Sequence, residues 1–127
     1  LLTGRVPTIG FHALRKIFVA PTSPRTIFAA DERKAAASFD GGRTWTLLAD
    51  GRDFPVTFAV DPMDPDVLYL GSGGGLEQSA DRGATWRRFD RGLYGRGLTH
   101  VVFDPADPFR LYAATSGAGV FVYEFAH

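Results

Sequence analysis

The side chains able to do chemistry in this chain are carboxylates, guanidinium groups and three histidines, because it has no cysteine. Without cysteine there is no thiolate nucleophile, no disulfide and no thiolate metal ligand. General acid–base catalysis by paired carboxylates would draw on Glu32, Glu77 and Glu124, the only glutamates, or on Asp31 and Asp53. No spacing selects a pair among them. Arginine is the more suggestive residue: it supplies 12 of the 14 basic side chains, and Arg5, Arg15, Arg52, Arg91 and Arg96 fall in connecting segments close in sequence to Phe11, Phe54 and Tyr94. Converging guanidinium groups bind carboxylate, sulfate or phosphate through bidentate hydrogen bonds, and an adjacent ring stacks on a sugar or base. The plain alternative is that these arginines are solvated loop residues. His100 joins the candidate set as a titratable group where a strand begins, its plain alternative being a polar strand end.

Asp61-Pro62-Met63-Asp64-Pro65-Asp66 and Asp104-Pro105-Ala106-Asp107-Pro108 offer the dense oxygen ligands of a Ca²⁺ site. Asp before Pro is also ordinary turn chemistry, and the corresponding Pro21-Thr22-Ser23-Pro24 carries no carboxylate, so no metal is expected. Gly71-Ser72-Gly73-Gly74-Gly75 lacks the Lys-Ser/Thr ending of a phosphate loop and reads as a turn. No cofactor is expected.

The elements that must position these groups come from an internal repeat. Ser38-Phe39-Asp40-Gly41-Gly42-Arg43-Thr44-Trp45 recurs 41 residues later as Ser79-Ala80-Asp81-Arg82-Gly83-Ala84-Thr85-Trp86, with Ser, Asp, Gly, Thr and Trp in register. The same shift carries Ile27-Phe28-Ala29 onto Leu68-Tyr69-Leu70, and a shift of 43 carries Leu68-Tyr69 onto Leu111-Tyr112. Each unit reads as four short strands, A to D, separated by Asp/Pro/Gly turns. In the second unit these are 56–60, 67–71, 75–80 and 84–89; the third supplies A, B and C at 100–103, 111–115 and 120–125. Residues 32–37 favour helix by propensity, but the repeat assigns them to a turn and strand C. Four short strands per unit of about 40 to 45 residues is the period of a β-propeller blade. The fold expected is all-β, with about three blades at 14–50, 55–90 and 98–127 in a single propeller segment covering 1–127, and residues 1–10 as the tail of a closing strand D.

The pattern Ser-x-Asp-x-Gly-x-Thr-Trp resembles the Asp-box, or BNR repeat, of sialidase-like, sortilin-like and photosystem-assembly-factor-like propellers, and the preceding Asp-Pro-x-Asp-Pro-x-x-Leu-Tyr resembles the A to B segment of the same repeats. The resemblance implies that Ser38, Asp40, Gly42, Thr44 and Trp45, with Ser79, Asp81, Gly83, Thr85 and Trp86, are structural rather than catalytic. The physical reading agrees: the Asp accepts hydrogen bonds from the turn's N–H groups, the Gly permits positive φ, and the Trp covers the neighbouring hairpin. Arg5-Val6-Pro7 is similar to the Arg-Ile-Pro of sialidases over three residues only.

Strand order within a blade sends the D to A and B to C connections to one face, where the arginines, Tyr94 and His100 collect, and the aspartate-rich connections to the other. Lys16, Thr57 and His100 are equivalent positions expected to ring the channel mouth. The formal net charge is zero, with 45% hydrophobic and 22% charged residues, which argues against disorder and a generally basic nucleic-acid binder. No stretch approaches the roughly 18 apolar residues of a membrane helix. Three blades leave apolar flanks, and a head-to-tail homodimer of six blades is the expected remedy. The function expected is a non-catalytic binding or scaffolding propeller, recognising an anionic or saccharide ligand on its arginine-rich face. The alternatives are a purely structural self-assembling unit and a sialidase-like or other glycoside hydrolase fragment.

Overall fold

The structure is a computed structural model that describes residues 16–20, 23–51, 57–89, 97–117 and 119–125. The described residues form eleven strands and no helix. The strands make three antiparallel sheets, and the chain divides into two units, Leu1–Gly51 and Arg52–His127. This is the all-β, blade-by-blade architecture that the repeat predicts. The expected closing strand at residues 1–10 lies outside the described residues.

The first unit holds sheet one, in the order β1 (Lys16–Ala20), β2 (Ser23–Ala30), β3 (Lys34–Ser38), β4 (Thr46–Asp50). The helix-favouring stretch is mostly β3, paired Ala29↔Ala36 and Ala30↔Ala35 with β2 and flanked by β4 on its other edge. Ala35, Ala36 and Ala37 are all buried, so small side chains fill a central strand covered on both faces. Helix propensity is worth only tenths of a kcal/mol per residue and yields to that burial. A second cause is local: the Asp31 carboxylate accepts from the N–H groups of Arg33 (2.7 Å) and Lys34 (2.6 Å), which closes a tight turn before any helix can start.

The second unit holds sheet two, β5 (Thr57–Val60), β6 (Leu68–Ser72), β7 (Gly75–Ser79) and β8 (Arg87–Arg88), and sheet three, ordered β11 (Val120–Glu124), β10 (Arg110–Thr115), β9 (Leu98–Phe103). Every residue of β6 is buried. On one face of sheet two, Tyr69 and Leu76 pack with Leu98, Val101, Leu111 and Ala113 of sheet three. The Tyr69 ring meets Phe89 and Phe103 edge-on, at 5.3 Å and 5.6 Å between centroids, a favoured geometry for aromatic pairs. Its hydroxyl, inside an apolar interface, accepts from Gln78 Nε2 at 2.8 Å, and Gln78 Oε1 in turn accepts from Arg87 Nη2 at 2.7 Å. Burial pushes the Tyr69 phenol above its ordinary pKa.

The two sheets approach closely at Gly71. A Cβ built there would lie 2.9 Å from Thr57 Cγ2 and 3.2 Å from both Leu98 Cβ and Val101 Cγ1. Glycine at 71 is therefore a packing requirement rather than a turn preference. Gly74, in the following turn, has only Ser72 Oγ within reach, at 3.7 Å. Overpacking a tight interface costs about 1–3 kcal/mol, whereas a surface change without such contacts stays within about ±0.5 kcal/mol. Gly71→Ala is thus expected to lower the urea midpoint clearly and Gly74→Ala to leave it nearly unmoved; equal effects would refute the close-approach account.

Candidate functional site

Ser38 lies at the end of β3, fully buried, and its hydroxyl donates to Asp40 Oδ1 at 2.8 Å while accepting from the Gly42 N–H at 2.8 Å. Asp40 Oδ1 also accepts from the N–H groups of Arg43 (3.0 Å) and Thr44 (2.9 Å), and Oδ2 accepts from the Thr44 hydroxyl at 2.6 Å. One carboxylate thereby ties down the whole β3–β4 turn. Gly41 and Gly42 have φ of +77° and +100°, the left-handed region that favours glycine. The half-buried Trp45 donates from its indole to the Gly42 carbonyl at 3.1 Å.

The β7–β8 turn repeats this arrangement. Ser79 donates to Asp81 Oδ1 (2.7 Å) and accepts from the Gly83 N–H (2.8 Å), and Asp81 accepts from the Thr85 N–H (2.9 Å) and hydroxyl (2.6 Å). Gly83 has φ +90°, and Trp86 is half-buried. Both carboxylates are thus committed to holding their turns. The residue at the tip was not anticipated: Arg82 stands where the first turn has Gly41 and adopts φ +57°. Its N–H donates to the Asp66 carbonyl (3.0 Å), matching Gly41 N–H to Arg25, and its Nε reaches Asp66 Oδ1 at 2.7 Å. The repeat register carried that signal, since a residue in the position of Gly41 must share its backbone conformation.

Of the candidate ligand residues, Arg5, Arg15, Arg52, Arg91, Tyr94 and Arg96 lie outside the described residues. His100 is exposed on β9, with Nδ1 3.4 Å from the Thr99 hydroxyl. Strand pairing bears out the equivalence of Lys16, Thr57 and His100, which pair with Ala30, Gly71 and Ala114. Thr57 does not line an open mouth, however. It is buried against Gly71 and its hydroxyl receives the Val101 N–H at 3.4 Å. A further equivalent set, Asp31, Ser72 and Thr115, opens each B to C turn and hydrogen-bonds within it: Asp31 accepts from the Arg33 and Lys34 N–H groups, Ser72 accepts from the Gly74 N–H, and Thr115 donates to the Gly119 carbonyl. Their 41- and 43-residue spacing was readable in the sequence and passed unnoticed because the residue types differ.

The aspartates of the A to B connections are engaged by their own backbone. Asp61 accepts from the Met63 N–H, Asp64 from Asp66, Asp104 from Ala106 and Asp107 from Phe109, at 2.8–3.1 Å. Asp104 also accepts from the Tyr112 hydroxyl at 2.6 Å, the main reason its carboxyl falls below the ordinary range. Among the described residues no three His, Asp or Glu side chains gather as a metal site. Of the glutamates, Glu124 pairs with Arg110 at 2.5 Å, Glu77 lies opposite Arg88 in the strand register, and Glu32 is exposed in the β2–β3 turn.

No family model matches the chain. It is 29% identical over 124 residues to a probable oligoxyloglucan-reducing end-specific xyloglucanase of Neosartorya fischeri, covering 81% of this chain and 15% of that protein. It is also 29% identical over 101 residues to the xyloglucanase Xgh74A of Acetivibrio thermocellus, covering 63% of this chain and 12% of that protein. The chain therefore spans only about a seventh of the length of these relatives. Among solved structures it superposes on the GH74 xyloglucanase of Xanthomonas campestris with a TM-score of 0.66 at 25% identity, over 87% of this chain and 22% of that one. The GH74 enzyme of Niastella koreensis gives 0.66 at 22% identity, over 88% and 21%. The chain shares its fold with these structures.

The two turn carboxylates make a pH prediction. Hydrogen bonds, first from the Thr85 hydroxyl, hold Asp81 down to about 2, and the matching bonds led by Thr44 hold Asp40 well below the usual carboxylate range. A depressed folded-state pKa gives stability that is complete above the unfolded value near about 4 and is lost as pH falls toward the folded value. The Asp81 side-chain carboxyl signal is expected to titrate near 2 in a carbon-detected NMR series. In Thr85→Val, which removes the hydroxyl donor, the midpoint should rise; an ordinary midpoint in the unaltered chain would overturn the assigned role.

Proposed function

We propose that this chain is a polysaccharide-handling propeller segment of the xyloglucanase type of glycoside hydrolase, with a xyloglucan-like β-glucan as its substrate class. The observation that carries the reading is the 29% identity over 124 residues with the Neosartorya fischeri xyloglucanase. The similarity to the Xanthomonas campestris xyloglucanase supports it. This weights the glycoside hydrolase alternative above the non-catalytic binding module that the repeat and the arginine-rich loops favoured. The Ser-Asp-Gly-Thr-Trp turns serve in this proposal as Asp-box repeats, structural locks that leave the opposite loops free to carry the site.

Glycoside hydrolysis uses two carboxylates flanking the scissile bond. Asp40 and Asp81 are bound to their turns and Glu124 to Arg110, and the part we assign to this segment is holding the glucan rather than supplying the acid–base pair. The residues proposed for that part are Arg5, Arg15, Arg52, Arg91, Tyr94 and Arg96, with His100 of β9. A flat ring such as Tyr94 stacks on the apolar face of a glucosyl unit, and guanidinium groups donate to its hydroxyls.

Affinity electrophoresis in gels containing xyloglucan, unsubstituted β-glucan or a sulfated polysaccharide tests this reading. Retardation by xyloglucan is expected, weakened about tenfold, or ~1.4 kcal/mol, in Tyr94→Ala. Retardation by the sulfated polymer alone would return the site to anion binding, and retardation by none of the three would sink the proposal. Reducing-sugar release from xyloglucan by the 127-residue chain would overturn the division of labour, because it would place the acid–base pair within this segment.

A further inference from the structure

Sheet three packs on sheet two through one face and leaves the other uncovered. The uncovered face presents Val102, Val120 and Val122, which are 53%, 65% and 49% exposed, around Tyr112 and Ala114 of the central strand. The register identifies these positions. Tyr112 is flanked by Val102 and Val122, and Ala114 by His100 and Val120. In sheet two the same places are held by Tyr69 between Ala59 and Gln78, and by Gly71 between Thr57 and Leu76. Those residues of sheet two form the face on which sheet three sits. The free face of sheet three is therefore the next copy of an interface already present in the molecule.

That interface also specifies what fits. Sheet three meets sheet two with Val101, Phe103, Leu111 and Ala113. The equivalent positions of sheet one, in the same strand pairing, are Ile17, Val19, Ile27 and Ala29. Ile17 and Val19 are 65% and 58% exposed. One chain thus carries both halves of a blade-to-blade contact, each with exposed branched apolar side chains, and exposed apolar patches of this kind mark association surfaces.

We propose that the Val102/Val120/Val122 face of sheet three is the seat for a second copy of this chain, which enters with the Ile17/Val19 face of its sheet one. The contact joins two different surfaces, so it is head to tail: each copy gives one face and receives through the other, and the assembly closes as a ring or continues. Apolar burial drives it, and the shared strand register places Ile17 of one copy against Ala114 of the next, at a wider spacing than Val101 against Gly71 because Ala114 carries the Cβ that Gly71 lacks.

Light scattering coupled to size exclusion, over a wide concentration range, reads the assembly. The unaltered chain is expected at a multiple of 13.8 kDa, and Val122→Lys or Ile17→Lys alone at 13.8 kDa, each keeping its strand signal in circular dichroism. Mixing the two variants restores a one-to-one pair, because each retains the face the other lost. A chain that stays monomeric at all concentrations overturns the proposal, and the seat then belongs to a further sheet of a longer chain. Two other results also overturn it: full association by either variant alone, or no pairing in the mixture. Should a lysine variant fail to fold, the absence of native cysteine allows an independent reading. Ile17→Cys mixed with Ala114→Cys should form the mixed disulfide faster than either forms its own dimer, and the reverse order would refute the contact.

Discussion

Both faces of the sheets in this chain are apolar, and that constraint governs the rest of the structure. A sheet with one apolar face can float on a core with its other face in water, but β6 is buried along its whole length and Ala35 to Ala37 are buried on both sides of β3. Such a strand is stable only when both of its faces are covered. Within the second unit the stacking is visible, with Tyr69 ringed by Phe89, Phe103 and Phe125 and its hydroxyl satisfied by Gln78. An unsatisfied phenol at that depth would cost about 1–3 kcal/mol, so the hydroxyl placed there comes with its partner.

Stacking demands that connections between strands stay short and out of the interface, and carboxylates accomplish this. In the β3–β4 and β7–β8 turns a single Asp gathers the N–H groups and hydroxyls of residues up to four positions away. In the A to B connections Asp61, Asp64, Asp104 and Asp107 each take the N–H two residues on. Most of the acidic side chains described are thereby structural. Abundance of carboxylates, which invites thoughts of metal binding or acid–base work, here reflects the number of turns that a stacked-sheet architecture needs.

The likeness to xyloglucanases fits this division between frame and site. Propellers host many chemistries on one frame, so the fold alone names no substrate. In the function we propose, the frame supplies rigid strands, and recognition of a long, neutral polysaccharide falls to loops that contribute rings and hydrogen-bond donors. The chain spans 15% of the Neosartorya fischeri xyloglucanase, and an activity that needs groups from several blades belongs to the larger frame.

The sequence by itself determined what depends on neighbours within a few residues. The repeat, the strand positions apart from β8, which is Arg87–Arg88 where 84–89 was expected, the Ser-x-Asp-x-Gly-x-Thr-Trp turns and the turn role of the Asp-Pro segments were legible, because each rests on hydrogen bonds or backbone conformations closed locally. Strand against helix at 34–38 was decided by the repeat although local propensity pointed the other way. Tertiary structure alone decided which polar residue is buried and which glycine is indispensable. Thr57 and His100 are equivalent in register, yet Thr57 is sealed under Val101, 44 residues on, and His100 is exposed. Gly71 sits in a glycine-rich run that reads as an ordinary turn, but it is the glycine that Leu98 and Val101 press against. Such facts are set by distance between sheets, and nothing in a residue's own neighbourhood records how closely another sheet will approach.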